Sequence, residues 1–230
     1  MTRALNVVRL QLVNRQTYIV MPLIILGGAF LLAFLVFALI PAEGPKYAYG
    51  ATVAPLWYFT AVGVQALTLT FPFSQALSVT RRDFHWGTLL TAAITAAMLA
   101  LIYVAVAAIE SATSGWGLNG YFSLPGLGSE APLTSLLAYF VIAMLFFLSG
   151  YWSAAIQRRR GTTVLVTVLV GAALLLIAGL LLAIRFGAWD TVTSWMMAQG
   201  TLGTAAWGLV LAGALAVSSW ATLRGVEHRG

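Results

Sequence analysis

Residues 162–184 read "TTVLVTVLVGAALLLIAGLLLAI" and contain no charged side chain. A helix of about 20 apolar residues is long enough to cross the hydrocarbon core of a bilayer. Backbone N–H and C=O groups find no water in lipid, so a spanning segment must be a helix or part of a closed barrel. This run lacks the alternation of a barrel strand, and it therefore predicts a transmembrane helix.

The composition of the whole chain agrees with this interpretation. Of 230 residues, 61% are hydrophobic and 8% are charged, and the mean hydropathy is +0.94. Roughly a quarter of an average globular chain is charged, so lipid must be the solvent for most of this surface. The net charge of +6 comes from residues at the ends of apolar runs. That distribution is typical of membrane anchors and not of a nucleic-acid-binding patch.

Six apolar runs are long enough to span a bilayer, and we predict an all-α integral membrane protein with residues 1–230 as one transmembrane domain. The predicted spans are Tyr18–Ile40, Ala51–Phe73, Trp86–Ile109, Leu133–Ile156, Thr162–Ile184 and Gly203–Leu223. Every lysine and arginine except Lys46 and Arg185 then lies on one side. The positive-inside rule places that side, with both termini, in the cytoplasm. The use of alanine, glycine, leucine and arginine, with one lysine, favours a multi-pass protein of a bacterial plasma membrane.

Two further segments have helical periodicity without being spans. In residues 1–16, Leu5, Val8 and Leu12 share one face and Arg3, Asn6 and Arg9 another. This pattern predicts an amphipathic helix in the membrane interface, where contacts with lipids are expected; an ordinary basic tail is the alternative. In residues 185–202, Trp189, Val192, Trp195 and Met196 recur at helical spacing. They predict a short outer amphipathic helix, or an aromatic belt at two helix ends.

The sequence lacks the side chains that metal binding, serine–histidine catalysis and nucleotide hydrolysis require. The chain has no cysteine, and its histidines, His85 and His228, lie far from any predicted span centre. Neither a metal cluster nor a serine–histidine pair at depth is expected. No phosphate-binding loop motif is present, and the sole lysine, Lys46, is on the outer side. We therefore do not expect an enzyme, nor a metal or other cofactor in this chain.

Polar residues inside the predicted spans are few. Gln65 shares one face of the second span with Trp57, Ala61, Thr68 and Pro72. Gln65 and Thr68 are candidates for lining a translocation path, although a hydrogen bond to a neighbouring helix is an equally ordinary use of such side chains. We also expect close helix approach at Gly171 and Gly179, and at Gly208 with Ala212.

The charge of this chain is concentrated in "FPFSQALSVTRRDFHWGTLL", residues 71–90. Pro72 should end or kink the second span, and Ser74 can cap a new helix. We predict a short amphipathic helix over residues 74–85. Its apolar side would carry Phe73, Leu77, Thr80 and Phe84, and its polar side Gln75, Ser78 and Arg82 with Ser74 and Arg81 beside them.

This segment resembles the "fPf…gvtRrdf…Gt" region of type 2 ABC exporter permeases, with Arg81, Arg82, Asp83, Phe84, Gly87 and Thr88 at the matching positions. Those permeases have six spans, an N-terminal interfacial helix, a cytoplasmic coupling helix between spans two and three, and a short element between spans five and six. The resemblance covers the architecture of the whole chain but the residues of this segment alone.

The resemblance implies a transport subunit without its own ATPase. Two ABC ATPase subunits, holding ATP and magnesium, and a second permease, identical or paralogous, would complete the transporter. The ATPase-coupling residues would be Gln75, Ser78, Arg81, Arg82, Asp83 and Phe84. The apolar spans favour an amphiphilic or hydrophobic cargo such as a lipid, drug or peptide. A stand-alone channel or secondary transporter, and a non-transporting scaffold, are the alternative functions.

Overall fold

A computed structural model describes residues 2–40, 44–124, 126–127 and 130–224. Its helices are α1 (Thr2–Val13), α2 (Met21–Leu39), α3 (Tyr49–Gln65), α4 (Phe71–Ala76), α5 (Arg81–Ala112), α6 (Pro132–Arg160), α7 (Thr162–Arg185) and α8 (Trp189–Arg224). Single π-helical turns precede α2 (Gln16–Val20) and join α3 to α4 (Ala66–Thr70). Gly115–Asn119 is an irregular loop in which Trp116 and Gly117 have positive φ. Two short strands, β1 (Lys46–Tyr47) and β2 (Gly120–Tyr121), pair in parallel.

The described residues contain six helices that are long and apolar enough to cross a membrane, as an all-α membrane protein requires. They are Gln16–Leu39, Tyr49–Ala76, Arg81–Ala112, Pro132–Arg160, Thr162–Arg185 and Trp189–Arg224. Each predicted span falls within one of them, apart from Ile40, which follows the end of the first. His228, Glu43 and Arg229 lie outside the described residues, as do the side chains of residues 1–3.

The helix predicted over residues 74–85 is wrong in its boundaries. Pro72 does not end the second span: the helix continues from the π-helical turn through Pro72 into α4, and the Thr68 carbonyl that Pro72 cannot pair with accepts a hydrogen bond from Arg158. The Ser74 hydroxyl does not cap a helix; it is buried and donates to the carbonyl oxygen of Phe71, 2.7 Å away. The span continues to Ala76, residues 77–80 form a turn, and Arg81 begins α5.

The core lies between α3, α5 and α6. Gly63 of α3 faces the backbone carbonyl of Phe147 on α6, and Gly150 of α6 faces that of Thr60 on α3; a Cβ at either glycine would overlap the opposing oxygen. The Thr60 hydroxyl donates to Phe146 across the same contact, at 3.0 Å. Small residues thus let these two backbones touch, as in many membrane helix pairs.

The glycines that we predicted for close approach differ from these. Gly208 does pack tightly, against Val141 of α6, and Ala212 is buried. A Cβ added at Gly171 or Gly179 would meet no described atom within 4 Å. The prediction that these two glycines allow close approach to another helix of this chain is therefore wrong. Their helix, α7, has no buried residue at all.

Helix α1 packs against α5, so one of its faces is covered by another helix of the chain. Its buried face carries Val7, Val8 and Gln11, whereas Leu5 is 49% exposed; the predicted apolar face is therefore displaced by a fraction of a turn. Gly87 of α5 leaves the space that Val7 and the Ala4 carbonyl fill. The Gln11 amide donates to the Thr88 hydroxyl at 2.9 Å in the buried contact.

At the opposite end of the bundle, polar groups fix the loops that connect the spans. The Glu110 carboxylate is 2% exposed and accepts hydrogen bonds from the N–H groups of Phe122 and Ser123 and from the Ser123 hydroxyl, at 2.5–3.1 Å. Lys46 donates to the carbonyls of Phe37 and Ile40 at the end of α2, at 2.8 and 2.7 Å. The Glu110 contacts connect the loop before α6 to the end of α5, and the Lys46 contacts connect β1 to the end of α2.

The segment between the last two spans is helical from Trp189 and breaks at Gly200, where φ is 61°. Trp189, Val192, Trp195 and Met196, the residues expected to form one apolar face, are all 40–52% exposed. Trp195 packs near Trp207 of the following helical segment, with ring centroids 6.0 Å apart.

Candidate functional site

The candidate site is the turn between α4 and α5 together with the helix ends beside it. Arg81 donates to the carbonyl oxygen of Leu223 at the end of α8, 3.2 Å away. Arg158, in the last turn of α6, donates to the carbonyl oxygen of Thr68 at 3.1 Å. The arginine-bearing ends of α5, α6 and α8 therefore lie at one end of the bundle, beside α4, as the distribution of charge in the sequence predicts.

Thr80 and Asp83 form the N-terminal cap of α5. The Thr80 hydroxyl accepts from the Asp83 N–H at 3.1 Å and donates to the Asp83 carboxylate at 2.6 Å. Thr80 has extended backbone angles, φ −68° and ψ 150°, as residues that cap a helix usually do. An acidic side chain in the first turn also complements the helix dipole. Asp83 thus has a structural role that does not need a partner protein.

Buried aromatic side chains also hold the first turn of α5 in place. Phe84 is fully buried and meets the Phe71 ring edge-on, with centroids 5.0 Å apart. His85 is 4% exposed; its Nδ1 lies 3.2 Å from the Tyr151 hydroxyl, and its ring is 5.3 Å from that of Trp220 on α8. Arg81 supplies a positive charge to the carboxyl end of α8, where cations are stabilised.

Of the remaining predicted coupling residues, Gln75 lies at the end of α4, Ser78 in the turn and Arg82 at the start of α5. The Gln75 amide donates to the Val79 carbonyl at 3.0 Å and so closes the turn. Ser78 has the positive φ of 58° that such a tight turn requires, and its side chain is exposed. Arg82 is exposed and makes no hydrogen bond to any described residue. Of the six predicted coupling residues, Ser78 and Arg82 present free side chains at the surface.

The turn also exposes apolar side chains. Phe73 and Leu77 are each 55% exposed, and Trp86, one turn into α5, is 57% exposed. Phe73 and Leu77 were expected to cover the buried side of a coupling helix, and in the structure they do not. An arginine next to large exposed apolar groups has the composition of a protein interaction surface.

Gln65 immediately precedes the π-helical turn of the second span and Thr68 lies within it, but neither side chain points to the centre of this chain. Both are half-buried, while Trp57 and Ala61 on the same face are exposed. The Gln65 amide has no hydrogen-bond partner among the described residues. The Thr68 hydroxyl bonds its own helix, to Val64 at 3.0 Å. This face of the span looks outward from the chain, towards lipid or another subunit.

Arg158 is a site residue that we did not single out from the sequence. It reaches the Thr68 carbonyl, for which Pro72, four residues later, has no N–H to donate, and its guanidinium lies 5.8 Å from the centre of the Phe71 ring. In the sequence it is the first of three consecutive arginines, and nothing there distinguishes it from the next two. Only the position of α6 against the second span does so.

No group of three histidine or acidic side chains that could hold a metal ion occurs among the residues that the structure describes. No protein-family model matches the chain, and no curated protein and no solved structure matches it. Function is therefore argued from the geometry of this site and from the sequence resemblance.

Proposed function

We propose that this chain is the membrane-spanning subunit of an ATP-driven exporter, coupled through its α4–α5 turn to a separate ABC ATPase. The observation that carries the proposal is the arrangement of that turn. Arg82 and Ser78 are free at its surface, whereas Thr80, Arg81 and Phe84 connect the turn to α5, α8 and α4. A partner that binds the turn would therefore act on several spans together.

The connections define how a displacement of the turn would spread. Asp83 and Thr80 fix it to α5, Phe84 packs against Phe71 of α4, and Arg81 joins it to the end of α8. Packed side chains and hydrogen bonds of this kind transmit rigid-body movements between elements. ATP and magnesium would bind in the partner ATPase, and this chain would contribute no catalytic residue.

A second permease, identical or paralogous, is part of the proposal. A Gln65 amide without a partner on the outer face of a span is unfavourable in lipid. A second subunit against that face would cover it, and the path for cargo would lie between the two subunits. The surrounding apolar surface favours an amphiphilic or hydrophobic cargo.

The proposal also places the arginine-rich end, with both termini, in the cytoplasm of a bacterium, because positive charge is retained there. The chain has no cysteine, so single cysteines at Leu77 and at Leu118 can be labelled separately in intact cells. An impermeant thiol reagent should label Leu118→Cys and leave Leu77→Cys unlabelled; the reverse pattern would contradict the orientation.

The test of function is purification of the chain with a candidate ABC ATPase, followed by reconstitution in liposomes. We expect a stable complex whose ATP hydrolysis responds to cargo, and Arg82→Ala should reduce both binding and that response. Arg9→Ala, which removes an exposed charge from α1, is the matched control and should behave as wild type. Cargo flux through the purified chain without ATPase or ATP would instead identify a channel or secondary transporter.

A further inference from the structure

The surface between the ends of α6, α7 and α8 contains a groove of about 260 Å³ that the proposed function does not use. Arg159 and Arg160 form one part of its wall, with Trp152 and Thr222 beside them, and Val164 and Val168 of α7 form the apolar part. We propose that this groove is a binding site for the headgroup of an anionic phospholipid. The inference does not depend on a partner ATPase.

The charges of the groove are available to a ligand. Arg158 is turned away from it, towards Thr68 and the Phe71 ring, whereas Arg159 and Arg160 are exposed and donate no hydrogen bond to a described residue. The carboxylate of Asp83, the acidic residue described at this end of the bundle, is engaged by Thr80. Guanidinium groups bind phosphate oxygens in pairs, with a geometry that suits their planar fork.

The groove is also held in shape. Gly161, with a φ of 87°, is the single residue between α6 and α7, so the two arginines stay close to the first turns of α7. The Gln157 amide donates to the Thr162 hydroxyl across this connection at 3.3 Å. The half-buried Trp152 indole has no hydrogen-bond partner among the described residues, and its N–H is a further donor for a phosphate or a glycerol ester.

The apolar wall decides between a lipid and a free anion. Val164 and Val168 continue from the arginines along α7, whose residues are all partly or fully exposed. Acyl chains would lie along that helix while the headgroup meets the arginines. Small-molecule sites usually measure about 300–1,000 Å³, so a groove of 260 Å³ suits a headgroup with its glycerol and not a whole lipid. Basic pockets between membrane helices are a common setting for such headgroups.

The experiment measures lipid binding to the purified chain in a neutral detergent by native mass spectrometry, with phosphatidylglycerol and phosphatidylcholine as probes. We expect phosphatidylglycerol to bind at least tenfold more tightly. Arg159→Gln with Arg160→Gln should weaken it by about 30-fold, or five- to sixfold per arginine. Arg9→Gln with Arg15→Gln removes the same charge from exposed positions outside the groove and should change binding less than about threefold.

A second measurement locates the bound lipid. Phosphatidylglycerol with brominated acyl chains should quench tryptophan fluorescence in wild type. Trp152→Phe should remove most of the quenching that saturates with lipid concentration. Equal affinity for both lipids, or equal effects of the two double variants, would overturn the proposal in favour of general surface attraction. Binding of inorganic phosphate as tight as that of phosphatidylglycerol would overturn it too. So would the finding that the two arginines bind an acidic partner protein and no lipid.

Discussion

Replacing Gly150 by alanine tests the contact between the second and fourth spans on which the fold depends. A Cβ at this position would overlap the backbone carbonyl oxygen of Thr60. The opposing atom belongs to a helix backbone and cannot rotate away, so α3 and α6 must separate. Separation would also disturb Gly63 against Phe147, the reciprocal contact of the same crossing.

The magnitude follows from two opposing terms. Alanine is favoured over glycine inside a helix by about 1 kcal/mol, and this gain is common to any helical glycine. Overpacking a closely packed site costs about 1–3 kcal/mol, and a rigid backbone neighbour places Gly150 near the upper value. We expect Gly150→Ala to lower the free energy of unfolding by about 1–2 kcal/mol.

Gly171→Ala is the matched control, because it makes the same substitution where nothing lies within 4 Å. It should stabilise the chain by about 1 kcal/mol, so the two variants should differ by about 2–3 kcal/mol. Unfolding in mixed micelles with increasing sodium dodecyl sulfate, followed by circular dichroism and tryptophan fluorescence, measures that difference. Equal stability of the two variants would refute the reasoning about this crossing.

Three further predictions concern polar contacts. Glu110→Ala leaves three donors of the loop without the carboxylate that accepts from them, and each such buried group should lower the free energy of unfolding by about 1–3 kcal/mol. The loop should then be cut more readily by protease, whereas Glu130→Ala, at an exposed position, should not have this effect. Thr80→Val removes the cap of α5 and should cost about 1 kcal/mol in a denaturant titration, whereas Thr80→Ser should retain it. Arg81→Gln should loosen the end of α8, seen as faster hydrogen exchange at its last turn, with no comparable change at the start of α7.

The six spans were predictable because lipid exposure requires long apolar runs, and six such runs are visible in the sequence. The course of the chain around Pro72 was not predictable. A proline ends a helix or is accommodated according to the turn before it, and the π-helical turn at Ala66–Thr70 has no simple sequence signal.

The glycines show a second limit of sequence reasoning. Gly150 and Gly171 look alike in an apolar run, yet only the first meets another helix of this chain. Buried charge shows the same limit: Glu110 sits at the end of a span, and its partners Phe122 and Ser123 come from a loop whose path the sequence does not define. Contacts between distant segments decide both cases.

The residues of the candidate site were partly predictable. The arginines mark one end of the bundle, and the sequence shows that concentration directly. Which of them are free was not predictable, since Arg81 is engaged by the end of α8 and Arg82 is not. Of the six predicted coupling residues, Ser78 and Arg82 are the two whose side chains are exposed and without a hydrogen-bond partner among the described residues; their role in coupling stays a prediction.

The most direct test of the proposed coupling is site-specific cross-linking from that turn. Leu77 is 55% exposed on the turn, and a single cysteine placed there can carry a photoreactive group. In membranes containing the chain and its candidate ATPase, we predict that Leu77→Cys cross-links the ATPase and that Leu118→Cys, at the opposite end of the bundle, does not. Failure to cross-link from Leu77→Cys, or equal cross-linking from both positions, would contradict the proposal that an ATPase docks on this turn.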